Sequence, residues 1–301
     1  VRIDIPSARG AVPGLGQNPL SGVIIDYYLP SKIDSGTVML EVMDQKGTVL
    51  RSFSNQPEKG FQRYEGGPSP KTTISADKGV NRFNWDMRTE SIPGIPGVFV
   101  NGDYRGHTVA PGTYRLRLST PKDTSETSFQ LLPDPRLSAT PAEYLAQQEI
   151  LQDITDKVKD IHQSVNRMRA VKQQVESLQK ATESLDQAKE LREKGKDILK
   201  KIDQWERELI SPDQKTFQDV INFKNKLNAE LLDLKDRIDM HDPAPTKGAR
   251  ERLSDLSKEW NTQKQALENL INGDIADYNK QYRESNLPAL VVPETPPTGV
   301  Q

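Results

Sequence analysis

Cysteine is absent from the 301 residues, which excludes disulfides, thiolate metal sites and a cysteine nucleophile. Long apolar runs are missing too. Nothing approaches the roughly 18 consecutive apolar residues of a membrane span, and no basic-then-apolar leader opens the sequence. Charge of one sign is also lacking. Lys and Arg total 41 against 43 Asp and Glu, for a formal net charge of -2, and the two signs are mixed along the chain. That leaves no electrostatic footprint for nucleic acid. Histidine is scarce, with three residues, His107, His162 and His241, none in a nucleophile motif.

Metal and phosphate motifs are equally missing. There is no acidic calcium loop, no pair of histidines at ligand spacing and no glycine-rich phosphate loop; Gly195 in "REKGKD" stands alone inside a helical pattern. We therefore expect no cofactor, no metal and no catalytic residue in this chain. Asp26, Asp86 and Asp103 are the acids near aromatic segments, but sequence does not set two of them across one glycosidic bond. Asp86 stands among Arg82, Arg88, Arg115 and Arg117, neighbours that favour an ionised carboxylate over a general acid.

What is present falls into two halves. Glycine and proline crowd the first 135 residues and then thin out, a shift that marks a boundary at "LLPDPRLSATP", residues 131–141. Before it, "GVIIDYYL" and "TVMLEVMD" alternate with period two, and further strands are expected at 48–54, 80–88, 113–119 and 127–132, with residues 1–5 as an edge. Short strands between Gly and Pro turns predict a β-sandwich of immunoglobulin or fibronectin type III style over 1–135.

Beyond the boundary the apolar period is helical. Leu151, Ile154, Val158, Ile161, Val165, Met168, Val171, Val175 and Leu178 form one seam, opened by a capping box at Thr140 and Glu143 with Pro141 at the first helical position. The seam resumes from Leu185 to Leu209, again from Phe217 to Ile238, and again from Leu253 to Tyr282. Narrow seams with charged opposite faces predict an elongated antiparallel bundle of three or four helices over 136–287, followed by a Pro-rich tail, 288–301.

Residues 79–88, "GVNRFNWDMR", put Phe83, Trp85 and Met87 on one parity and Arg82, Asn84, Asp86 and Arg88 on the other. The first set reads as core. The second, with Arg115 and Arg117 on a neighbouring strand, is more numerous than exposed ladder pairs need for stability and reads as an interface facing a neighbour. Tyr28 and His107 are the ligand candidates, one as an exposed aromatic for glycan, the other in the turn "YRGHTVAPG".

These stretches carry a resemblance. "NPLSGVIIDYYLP", "VMLEVMDQKGTVLRSF", "GVNRFNWDMR", "APGTYRLRL", "DITDKVKDIHQSVNRMRAVKQQV" and "DIADYNKQYRESNLPAL" together resemble the C-terminal region of secreted bacterial proteins with sortilin-like or BNR repeats, often labelled glycosyl hydrolases. In those proteins a β-propeller precedes this region and holds any glycosidase site. Asn84, Met87 and Thr89 depart from that family's more apolar and aromatic strand. The resemblance implies a non-catalytic region of an exported protein that packs against or spaces a propeller or docks another protein, with polysaccharide binding as the alternative. Val1 in place of Met leads us to expect a processed chain or a fragment.

Overall fold

A computed structural model describes residues 21–240 and 242–287. The expected edge strand at 1–5, the Pro-rich tail and His241 lie outside these residues. Six strands come first: β1 (Val23–Leu29), β2 (Met39–Met43), β3 (Val49–Ser54), β4 (Gly79–Trp85), β5 (Gly112–Ser119) and β6 (Thr124–Leu131). They form two antiparallel sheets, a pair β1-β4 and a four-stranded sheet ordered β3-β2-β5-β6. Alternation does the work that the sequence pattern requires of it. Ile25, Tyr27 and Leu29 of β1 are buried while Ile24, Asp26 and Tyr28 are exposed, and the same parity puts Phe83 and Trp85 of β4 inside. The inward residues of both sheets meet in one apolar cluster with Val38, Leu40, Val42, Phe53, Tyr114 and Leu116.

The helices are α1 (Pro141–Ala181), α2 (Lys189–Leu209), α3 (Leu227–Met240), α4 (Lys247–Asn269) and α5 (Ala276–Glu284); a π turn over Leu270–Ile275 makes the last two one continuous rod. Thr140 caps α1 as its sequence requires, its hydroxyl accepting from Glu143 N while the Glu143 carboxylate accepts from Thr140 N at 2.7 Å. At the other end, the Arg192 guanidinium donates to the carbonyls of Thr182 and Leu185 in the turn that follows α1. Gly195 serves packing, since a Cβ there would lie 2.8 Å from Gln179 and 3.2 Å from Val175.

The third helical segment starts later than its apolar pattern predicts. Residues 217–221 form a short 3-10 turn with Phe217 and Ile221 largely exposed, and the α-helix begins only at Leu227. Pro212 and the Thr216–Asp219 capping box set a separate turn there, which intervenes before the seam is taken up.

Three strand bounds also shift by a few residues, and one shift matters. The β4 ladder ends at Trp85, not Arg88, because Met87 adopts a left-handed backbone with φ of 60°. That breaks the period-two row at the residue before Arg88.

Candidate interaction site

Residues 86–111 join β4 to β5, and they form a folded arm. Its two sides are bonded to each other: Val109 N donates to Met87 O at 2.8 Å, Thr89 N to His107 O at 2.9 Å and Ile92 N to Tyr104 O at 2.7 Å. Gly106 permits the approach, since a Cβ there would sit 2.2 Å from Thr89 O. Trp85 Nε1, deep in the sheet cluster, donates to Arg88 O at 3.0 Å and anchors the base of the arm. The tip carries Ile92, Ile95, Val98, Val100 and Tyr104 into the helical core, where they share one cluster with the seams of α1 to α4. Burying these apolar side chains against the helices contributes on the order of 1.5 to 3 kcal/mol each.

Two helices bind the polar backbone of this arm. From α1, residues spaced by sevens face it: Gln148 donates to Thr108 O at 2.9 Å, Thr155 Oγ1 lies 3.4 Å from His107 Nδ1, His162 Nδ1 donates to Pro93 O at 2.7 Å, and Arg169 donates to Pro96 O at 2.9 Å. Asn166 adds a bond to Gly94 O at 3.3 Å. Arg169 is itself held by Glu206 of α2. The heptad spacing puts these groups along one stripe of α1, beside its apolar seam.

From α3 the contacts are ionic and deeper. Lys235 has no exposed side-chain surface; its ammonium donates to Asp103 O at 2.5 Å and Arg105 O at 2.7 Å and stands 3.4 Å from Asp236 Oδ1. Asp236 in turn accepts from Asp103 N at 3.1 Å. One turn on, Asp239 accepts from Thr108 N at 2.9 Å and from Arg88 Nη1 at 2.6 Å, and Arg88 also donates to Gly106 O. The lysine thus donates to two carbonyls of the arm and sets its charge beside a carboxylate, all inside the protein. Burial pulls the Lys235 pKa below the ordinary lysine range, opposed by the Asp236 and Asp103 charges, and burial raises that of Asp236.

The sequence-derived residues fall into separate groups. Arg82 lies opposite Asp26 and makes a bidentate pair at 2.8 and 2.9 Å on the exposed face of β1-β4. Asn84 bonds Ser21 O at 2.7 Å. Arg117 pairs with Glu41 at 2.7 Å within the four-stranded sheet, with Arg115 and Glu126 alongside. Asp86 Oδ1 accepts from Arg88 N, closing a local turn. Of the six, Arg88 alone is seen bonded to a helix, because the left-handed Met87 turns it out of the row. Tyr28 is exposed opposite Val80. His107 is not in an open turn: it is buried between Thr89 and Thr155, and burial depresses its pKa to about 4. His162 is likewise buried, its pKa lowered to about 4.

Sequence reasoning missed Lys235, Asp236 and Asp239 altogether, and it missed the polar heptad of α1. A usable signal was there: Gln148, Thr155, His162 and Arg169 recur every seven residues beside the seam, and "SIPGIPGVFV" is too apolar for a free loop.

Beside the arm lies a groove of about 1020 Å³ between residues 58–72 and 86–105. Phe61, Tyr64, Lys71, Asp86, Glu90 and Arg105 are among its lining residues. The hydroxyls of Tyr64 and Tyr104 are buried beneath it close enough to interact, yet neither completes a well-formed hydrogen bond, and burial raises the pKa of both. Among the described residues no cluster of three potential metal ligands occurs, and no helix is long and apolar enough to cross a membrane. Comparison with protein-family models, curated proteins and solved structures gave no match.

Proposed function

We propose that this chain is a non-catalytic interaction and spacing module of an exported BNR-repeat-type protein. In this reading the two sheets make a fibronectin-like sandwich, the helices an elongated bundle, and the arm fixes one to the other so that a neighbouring β-propeller is held at a set orientation. The arm, with apolar tip and charged base both bonded into the helices, is the observation that carries it. A module whose job is orientation needs a stiff joint, and the uncommon length of a connection of this kind calls for a role. The disposition of candidate acids supports the same reading: Asp26 is taken by Arg82 and Asp103 by Arg105. Small-angle scattering from a longer gene product that includes a propeller tests it. A single rigid envelope is expected, loosened by Arg88→Ala with Lys235→Met; an envelope that is flexible in the unaltered protein overturns the proposal, as does glycoside hydrolysis by this chain.

The groove favours a second reading, a polysaccharide-binding module. Its walls offer Phe61 and Tyr64, and its charges balance, with Arg51, Arg63, Lys71 and Arg105 against Glu58, Asp86, Glu90 and Asp103. Rings beside paired charges suit a neutral, hydroxyl-rich chain. Retardation in polysaccharide gels, lost in Phe61→Ala, would support this reading, and unretarded migration in all of them would reject it.

A further inference from the structure

The connection between α2 and α3 is closed by its own hydrogen bonds. Asp219 Oδ2 accepts from Lys215 N at 2.7 Å and from Thr216 N at 2.8 Å, Phe223 N donates to Asp219 O at 2.9 Å, and the buried Gln214 donates through Nε2 to Phe223 O at 2.9 Å. What this frame displays is apolar. Phe217 is 66%, Ile221 85% and Phe223 39% exposed, and none of the three belongs to either apolar cluster of the protein. Folded proteins scatter exposed apolar residues singly, so three large ones held out together on a braced turn call for something to receive them.

The charge left over at this turn has one sign. Asp213 is taken by Arg207 at 2.7 Å and Asp219 by backbone amides, whereas Lys215, Lys224 and Lys226 make no ion pair among the described residues. We propose that the turn docks on an anionic lipid surface, with Phe217, Ile221 and Phe223 entering the headgroup boundary and the three lysines meeting the lipid phosphates. The size of the patch favours lipid over protein. Its side chains expose on the order of 350 Å², taking about 200 Å² for a full ring, whereas a stable protein interface takes about 800 Å² from each partner. A bilayer needs no matching cavity: it accepts single projecting side chains, and it attracts each lysine near its surface. Lysine stems are long enough to reach the phosphates past the apolar groups. Docking of this kind is peripheral and needs no spanning helix.

Cosedimentation of the full chain with vesicles of phosphatidylglycerol and phosphatidylcholine in equal amounts tests this, beside vesicles of phosphatidylcholine alone. The chain should sediment with the anionic vesicles and be released by high salt. Lys215→Gln and Lys224→Gln should each weaken binding about fivefold, and Phe217→Ser with Ile221→Ser should reduce it to background. Because these side chains are exposed, circular dichroism and the urea midpoint should match those of the unaltered chain. Gln218→Ser, on the same turn, should bind as before. Phe217→Trp gives a second readout: Trp85, Trp205 and Trp260 are buried, so a blue shift of emission on adding anionic vesicles reports entry at position 217. The proposal is overturned by failure to sediment with anionic vesicles, by equal binding to the neutral ones, or by an unshifted emission. Binding that needs the lysines but survives the loss of Phe217 and Ile221 also overturns it, since any acidic surface, a protein's included, would then suffice. So does a dimer of the unaltered chain that dissociates in Phe217→Ser with Ile221→Ser, because a second copy would then cover the patch.

Discussion

Arg82 and Arg88 share a parity in the sequence, but their surroundings assign them opposite importance. Arg82 meets Asp26 on an exposed face, where water and salt compete for both charges, so Arg82→Ala should leave the urea midpoint unmoved. Arg88 meets Asp239, whose side chain is 4% exposed, and its loss strands a buried carboxylate. Arg88→Ala should cost about 3 kcal/mol, read as a lowered midpoint at unchanged slope. The two buried histidines give a second prediction. Each is held neutral with a folded pKa of about 4, against roughly 6.5 when unfolded. The unfolded chain therefore takes up the proton first as pH falls. Stability is full above pH 6.5 and declines towards pH 4, by roughly 3 kcal/mol per histidine. Urea midpoints at pH 7.5 and 4.5 should show this, and resonances assigned to His107 and His162 that titrate near 6.5 in the folded protein would refute it.

At the scale of elements, α3 does more than complete an apolar seam. Its Leu232, Lys235, Asp236 and Asp239 lie within two turns and grip the arm at Gly102, Asp103, Arg105, Thr108 and Arg88. Lys235→Met should cost about 3 kcal/mol despite its apolar replacement, since two carbonyls and Asp236 would lose their cation together. Chemical denaturation measures it; a neutral or stabilising effect would show that packing, not the charge, fixes the arm. Strands and helices were legible because period is a local property: Ile25, Tyr27 and Leu29 announce β1, and Leu151 to Val175 announce α1. The clamp was not, because its partners are remote. Asp239 and Arg88 are 151 positions apart, and a lysine inside a helical pattern reads as solvated until the carbonyls that surround it are known. The Arg88 reading also depended on strand parity continuing past Trp85, which the left-handed Met87 ends.

For the whole molecule, the boundary at residues 131–141 that composition suggests coexists with a second joint that composition hides. Chain from the β half, Ile92 to Tyr104, belongs to the core of the helical half. Removing it would take five buried side chains from among the helices, so neither half is expected to unfold without disturbing the other. The proposed spacing role would draw on this, because an orientation held by a shared core does not drift as one held by a linker does. Differential scanning calorimetry of the full chain is the most direct measurement of that coupling. One transition is expected, with calorimetric and van't Hoff enthalpies equal; two resolved transitions, one for the sheets and one for the helices, would contradict it.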